Sequence, residues 1–202
     1  DGSELQQISG KPNGSQFAVL SDWSPDGSRI LYLSYDSSTS AYETHVCTFD
    51  RLDCQQVSGD VDEGGGVWPV AWSPNGSRIA YVERKDGTSP QELFTCANDG
   101  SDRRKVSGEL LEGTDVSRQN VAWSPDGSWL AYKAYQPMFG LYVSAPDGSN
   151  NRKVSNDLAW DISEFRWGPD GARIAFVEYR PGRVDLYTNV PDASDPVEVS
   201  GS

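Results

Sequence analysis

One eight-residue word, written four times, constrains this 202-residue chain more than anything else in it. Trp23-Ser24-Pro25-Asp26-Gly27-Ser28-Arg29-Ile30 recurs as Trp72-Ser73-Pro74-Asn75-Gly76-Ser77-Arg78-Ile79 and as Trp123-Ser124-Pro125-Asp126-Gly127-Ser128-Trp129-Leu130. The fourth copy is Trp167-Gly168-Pro169-Asp170-Gly171-Ala172-Arg173-Ile174. The tryptophans are 49, 51 and 44 residues apart. A second mark keeps the same phase: Ile8-Ser9-Gly10, Val57-Ser58-Gly59, Val106-Ser107-Gly108, Val154-Ser155-Asn156 and Val199-Ser200-Gly201. Two independent marks in phase define a repeat, and a period of about 40–50 residues suits one four-stranded unit.

Each unit predicts four short strands. The first ends at the tryptophan, and Asp-Gly or Asn-Gly then supplies a tight turn because both types tolerate positive φ. The second strand covers Arg29–Ser34, Arg78–Glu83, Trp129–Ala134 and Arg173–Glu178. The third lies near Glu43–Phe49, Glu92–Ala97, Phe139–Ser144 and Asp185–Asn189, and the fourth closes each unit at its Val-Ser mark. In Arg78-Ile79-Ala80-Tyr81-Val82 both alternating faces are apolar, so both need cover. Four-stranded sheets stacked face to face around an axis supply it, and that arrangement is a β-propeller.

The repeated words resemble the PD40 repeat of TolB-like (WD40-like) propellers, in four copies over nearly the whole chain. Gly168 in place of serine and Trp129 in place of arginine are the departures. The resemblance implies a propeller, usually of more than four blades, that works as a periplasmic or extracellular interaction module. PD40 propellers also serve as gating domains of serine peptidases. The expected fold is an all-β propeller with four visible antiparallel blades in a single domain over residues 1–202. The blades fall at about 11–59, 60–108, 109–156 and 157–202, with a surplus outer strand at 1–10.

That surplus strand needs a sheet edge, because a lone strand leaves backbone groups unpaired. Three readings stay open: the end of an upstream blade of a larger propeller, a clasp added to the fourth blade, or pairing of Glu4-Leu5-Gln6-Gln7-Ile8 with a neighbouring molecule, which generates filaments unless the rotation closes. A chain opening at Asp1 without methionine reads as a processed product, an excised domain or part of something longer.

A net charge of −13 opposes sequence-independent nucleic-acid binding, and no apolar run approaches the roughly 18 residues of a membrane span. Cys47 in the third strand of the first unit faces Cys54 across the hairpin, within disulfide reach. A pair of reduced thiols is the alternative; Cys96 stands opposite Arg103 and reads as a free buried thiol. A disulfide places the chain in an extracellular or periplasmic setting. Asn13 and Asn75 satisfy the glycosylation pattern, although both also read as Asn-Gly turn residues.

Enzyme signals are nearly absent. There is no Gly-x-Ser-x-Gly elbow, and a catalytic triad has only His45 to draw on. The expectation is a non-enzyme with no cofactor. Asp60, Asp62 and Glu63, ahead of three glycines, make a weak calcium candidate that reads more simply as a solvated acidic loop. The connectors between units are the longest and most varied loops, and Trp68, Trp160 and Phe165 lie in or just after them. Aromatics there are candidate ligand or partner contacts, or else caps of the blade core; Trp129, which replaces arginine where a strand is expected to face water, is a further candidate contact. Taken together, these features predict a protein-interaction or assembly module, pairing with another protein or with copies of itself. A carbohydrate-binding propeller and a fragment of a larger PD40 protein such as a serine peptidase are the alternatives.

Overall fold

The repeated word folds the same way each time it is written out in full. In the first copy the Arg29 amide donates to Ser24 Oγ at 2.9 Å, and Ser24 Oγ donates to Asp26 Oδ1 at 2.6 Å. The Ser28 amide closes onto the same carboxylate at 3.0 Å, while Gly27 takes positive φ. Ser73-Asn75-Ser77 and Ser124-Asp126-Ser128 repeat the pattern. The hydroxyl of Ser24, with the Ser28 amide, lowers the Asp26 carboxyl to about 2. The Val-Ser mark has an equally local cause. Leu93 and Leu141 donate their amides to Ser107 Oγ and Ser155 Oγ, while the Val106 and Val154 amides return to the carbonyls of the same two leucines.

The chain is seen in a computed structural model that describes residues 15–48, 53–57, 61–108, 114–136, 138–157, 159–192 and 196–200. The first unit holds β1 (Ser15–Trp23), β2 (Arg29–Asp36), β3 (Ala41–Thr48) and β4 (Cys54–Gln56). The second holds β5 (Gly66–Trp72), β6 (Arg78–Arg84), β7 (Glu92–Ala97) and β8 (Arg104–Lys105). In the third are β9 (Asp115–Trp123), β10 (Leu130–Gln136), β11 (Met138–Ser144) and β12 (Arg152–Lys153). The fourth has β13 (Asp161–Trp167), β14 (Ile174–Arg180), β15 (Arg183–Asn189) and β16 (Val197–Glu198). Within each unit the strands pair antiparallel in sequence order, and one parallel bridge, Tyr42 to Gly66, links the first two sheets. The result is an all-β propeller.

Three hydrophobic clusters hold the blades together, one at each junction. Leu31, Val46 and Val57 of the first blade meet Val67, Trp72, Ile79, Tyr81 and Phe94 of the second. Ala80, Val82, Leu93 and Val106 of the second meet Val116, Leu130 and Tyr132 of the third. Ala131, Leu141, Val143 and Val154 of the third meet Ile162, Phe165, Ile174, Phe176 and Tyr187 of the fourth. The indoles add a directional lock: Trp123 Nε1 donates to the Ala71 carbonyl at 3.3 Å, and Trp167 Nε1 to that of Ala122 at 3.2 Å. Gly148 shows how closely blades approach, since a Cβ there would lie 2.1 Å from the Lys105 carbonyl oxygen and its φ is +85°. Among the described residues no cluster joins the fourth blade to the first.

Candidate functional site

The first strands of successive blades approach one another, β1 with β5 and β5 with β9, so these strands lie nearest the axis. All four bulge against their partners. The register shifts between Leu20 and Asp22 in β1, between Pro69 and Ala71 in β5, and between Ile162 and Phe165 in β13. The largest bulge is in β9, where Val116 and Val121 pair with Ala134 and Tyr132. Four β9 residues, 117–120, thus stand against Lys133 alone. Bulges re-aim side chains and recur beside functional sites. Here they shape a cavity of about 310 Å³ between β9 and β13, lined by Gln119, Asn120, Ser163, Glu164 and Arg166 together with Val121, Ala122 and Phe165.

The lining is polar and mixed in charge. Asn120 Nδ2 donates to Ser117 Oγ at 3.0 Å. Arg166 Nη1 donates to the Phe165 carbonyl at 2.7 Å, and its Nη2 lies 3.6 Å from the Glu164 carboxylate. Outside the cavity lining, Lys133 Nζ bridges the third blade to Asp161 at the start of β13, at 2.6 Å. Such a groove offers amide, carboxylate and guanidinium groups to a polar ligand.

The four aromatics singled out by sequence have different surroundings. Trp160, one residue before β13, is 55% exposed while its amide donates to the Tyr179 carbonyl. Trp68 is half-buried, with Tyr42 on one side and the Arg118 guanidinium 4.2 Å over its ring. Phe165 lies in the core at 7% exposure, because its pairing with Phe176 turns it toward the third blade. Trp129, expected to face water, instead packs half-buried against the same core cluster, with Arg152 over its ring. The second strand of that unit begins only at Leu130, which leaves the indole free to fold across the blade edge.

His45 is buried in β3 and stacks on Tyr32 at 5.0 Å. Its Nε2 lies 2.9 Å from Ser34 Oγ and 3.4 Å from the Glu43 carboxylate. Burial lowers its pKa, with Glu43 opposing in part. A catalytic relay engages opposite ring nitrogens and an accessible hydroxyl. Here both partners share one nitrogen and Ser34 is buried, so the group is a polar packing cluster.

Cys47 pairs directly with Cys54 and is joined to it by a disulfide, while Cys96 is a buried free thiol that burial pushes up to about 12. Asn75 Oδ1 accepts from the Ser73 and Ser77 hydroxyls, taking the role Asp26 has in the first turn. Asp62 and Glu63 are exposed turn residues, and among the described residues no group of three or more His, Cys, Asp or Glu is placed to hold a metal. Asp60, Asn13 and the segment Glu4, Leu5, Gln6, Gln7 and Ile8 lie outside the described residues.

A second surface stands out at the end of the arc. Register places Leu186 where Leu93 and Leu141 stand in earlier blades, and Val199 where Val106 and Val154 stand. Those four earlier residues are 0% exposed; Leu186 is 39% and Val199 54% exposed. Tyr179, Val184 and Val197 share this face and are exposed with them.

Sheets of four antiparallel strands joined at tryptophan-locked faces define a TolB-like, PD40-type β-propeller. The profile of the lipoprotein LpqB beta-propeller domain (Gmad1) matches residues 44–201, and the chain belongs to that family. Solved structures agree on the fold. TolB from Acinetobacter baumannii superposes with a TM-score of 0.57 at 13% identity, over 92% of this chain and 44% of TolB. An oligogalacturonate lyase solved in complex with manganese gives 0.63 at 15% identity, over 96% and 56% of the two chains. A puromycin-hydrolyzing peptidase of Mycobacterium tuberculosis gives 0.59 at 13% identity, over 92% and 31%. The chain therefore spans less than two thirds of each of these three proteins. No curated protein sequence matches it. Both enzymes and TolB share the fold, so the propeller alone does not settle whether a chain that carries it is an enzyme.

Proposed function

We propose that this chain is a non-catalytic, extracytoplasmic interaction module that takes an extended segment of a protein partner into the groove between β9 and β13. One observation carries the reading: the bulges of these two strands gather Gln119, Asn120, Ser163, Glu164 and Arg166 around one cavity. Backbone groups of an extended segment need donors and acceptors on both sides, and this lining has both. Trp160, exposed just before β13, is the aromatic anchor, and the type of residue fits such a role. The disulfide supports an oxidising compartment, as does membership of a family named for a lipoprotein. His45 is the chain's one histidine, and its shared-nitrogen geometry favours a non-enzyme.

Panning a random-peptide display library on the chain tests the reading. Sequences enriched on the unaltered protein are expected to lose binding to N120A/R166A and to W160A. Enrichment indifferent to all three substitutions would overturn it. The exposed Trp160 indole, together with the two amides of the groove lining, favours carbohydrate as a second reading, and a glycan array with the W160A control decides that one.

A further inference from the structure

We infer that the partner segment carries a carboxylate and that Arg118, held over Trp68 beside the groove, receives it, an assignment that rests on the reading of the groove as a peptide site and names the chemistry of its ligand. Arg118 lies inside the four-residue bulge of β9, immediately before Gln119 and Asn120 of the groove lining. The bulge thus sends side chains two ways. Gln119 and Asn120 line the cavity against β13, while the Arg118 guanidinium reaches an indole of β5 and stands 4.2 Å over its ring.

The indole is itself a fixed platform. It lies over Gly66, where a Cβ would stand 2.8 Å from Trp68 Cζ2 and 3.1 Å from Tyr42 Cβ, so a larger residue there would push the ring away. Gly66 is bridged to Tyr42 of the first blade. Ring contacts run on from Trp68 to Tyr42 at 5.8 Å and from Tyr42 to Tyr35 at 5.1 Å. A guanidinium over the face of a tryptophan is attracted by the ring's negative face and keeps its N–H edge for another partner.

That edge has no partner within the described protein. Arg118 is exposed, and among the described residues it makes neither a hydrogen bond nor an ion pair. Arg78, Arg103, Arg180 and Arg183, by contrast, each hold an Asp or Glu within 2.8 Å. Arg152 over Trp129 is a looser pair, at 5.8 Å, on the outermost strand of its blade and away from the groove. An open guanidinium fork matches a carboxylate through two parallel hydrogen bonds. The net charge of −13 sharpens the choice. Such a surface repels a carboxylate over most of its area, so a free cation beside the groove fixes where an acidic group can land, and with it the register of the segment.

The test screens the unaltered chain against a synthetic library of random peptides, each made with a free and with an amidated C-terminus. Bound sequences are expected to share an Asp or Glu at one position, or a free terminal carboxylate, and conversion of that group to the amide is expected to weaken binding about tenfold. A preference that survives amidation identifies a side-chain carboxylate, and one that vanishes with it identifies the terminal carboxylate; both support the inference. R118Q is expected to remove the preference while the remaining binding still depends on Asn120 and Arg166, and R118E to select Lys or Arg at the same position. W68L is expected to weaken acidic peptides when Arg118 is present and to change nothing further in R118Q, a coupling that a general loss of packing would not produce. Binding that N120A/R166A abolishes but that shows no acid preference, or shows one unchanged in R118Q, overturns the inference and leaves the groove standing. An acid preference that R118Q removes and N120A/R166A does not touch supports the carboxylate site and removes the groove. A library from which nothing binds overturns both.

Discussion

Leu141 and Leu186 occupy the same place in successive blades. Each donates its amide to a serine hydroxyl, Ser155 or Ser200, and accepts from a valine amide, Val154 or Val199. The backbone circuits are alike, yet Leu141 meets Ile162, Phe165 and Phe176 of the next blade within one cluster, whereas Leu186 meets solvent. The difference separates two parts of blade stability. Local hydrogen bonds shape every blade, and stacking on a neighbour decides how much the shape is worth.

Alanine at the two leucines breaks that comparison open. Leu141→Ala is expected to cost about 3 kcal/mol in denaturant unfolding, the usual range for a buried leucine with its cavity. Leu186→Ala is expected to cost less than about 1 kcal/mol. Equal costs would mean that the far face is covered after all.

The next effect in size is covalent. Cys47 and Cys54 close a short loop in the first blade. Cys54→Ser is expected to lower stability by about 2 kcal/mol, read as a shift of the unfolding midpoint, while Cys96→Ser, with no partner to lose, gives a smaller shift. A smaller effect has the opposite sign. In the fourth turn Gly168 stands where the other copies have serine, and its ideal Cβ lies 3.2 Å from Asp170 Oδ1. Gly168→Ser restores the hydroxyl that Ser24 supplies to Asp26 in the first turn, and is expected to stabilise by roughly 1 kcal/mol. A loss instead would show that the fourth turn lacks room for the bond.

The smallest effect is in pH. His45 stands where Phe94 stands in the second blade, and burial holds its folded pKa below the ordinary 6.5. Above 6.5 both folded and unfolded forms are neutral and the residue is silent. As pH falls below 6.5 the unfolded chain takes up the proton first, so stability is lost on acidification. His45→Phe is expected to flatten the melting temperature between pH 7 and 5. An unchanged slope would place the pH sensitivity elsewhere.

Much of this architecture was legible in the sequence because the determinants of a blade are local. Ser24, Asp26 and Gly27 build a turn among themselves, and Val106-Ser107 closes on Leu93 within one unit. The Cys47–Cys54 register followed from aligning one repeat on another. The groove was not legible, since a bulge such as residues 117–120 against Lys133 exists only once strands are paired. The inward turn of Trp129 was not legible for a related reason: whether a ring at a strand edge turns inward depends on the neighbouring blade. The far face of the fourth blade is the sharpest case. Val184 and Leu186 read as ordinary blade residues, and nothing in that stretch tells a covered face from an open one.

Hydrogen exchange on the chain, at a concentration where it is monomeric, tests this account most directly. The Leu141 and Val154 amides should exchange only with global unfolding. The Leu186 and Val199 amides, in the same hydrogen-bonding circuit, should exchange on the order of 100-fold faster through local opening. Equal protection at the two pairs would contradict the claim that stacking on a neighbouring blade, beyond the local hydrogen bonds, sets how firmly a blade is held.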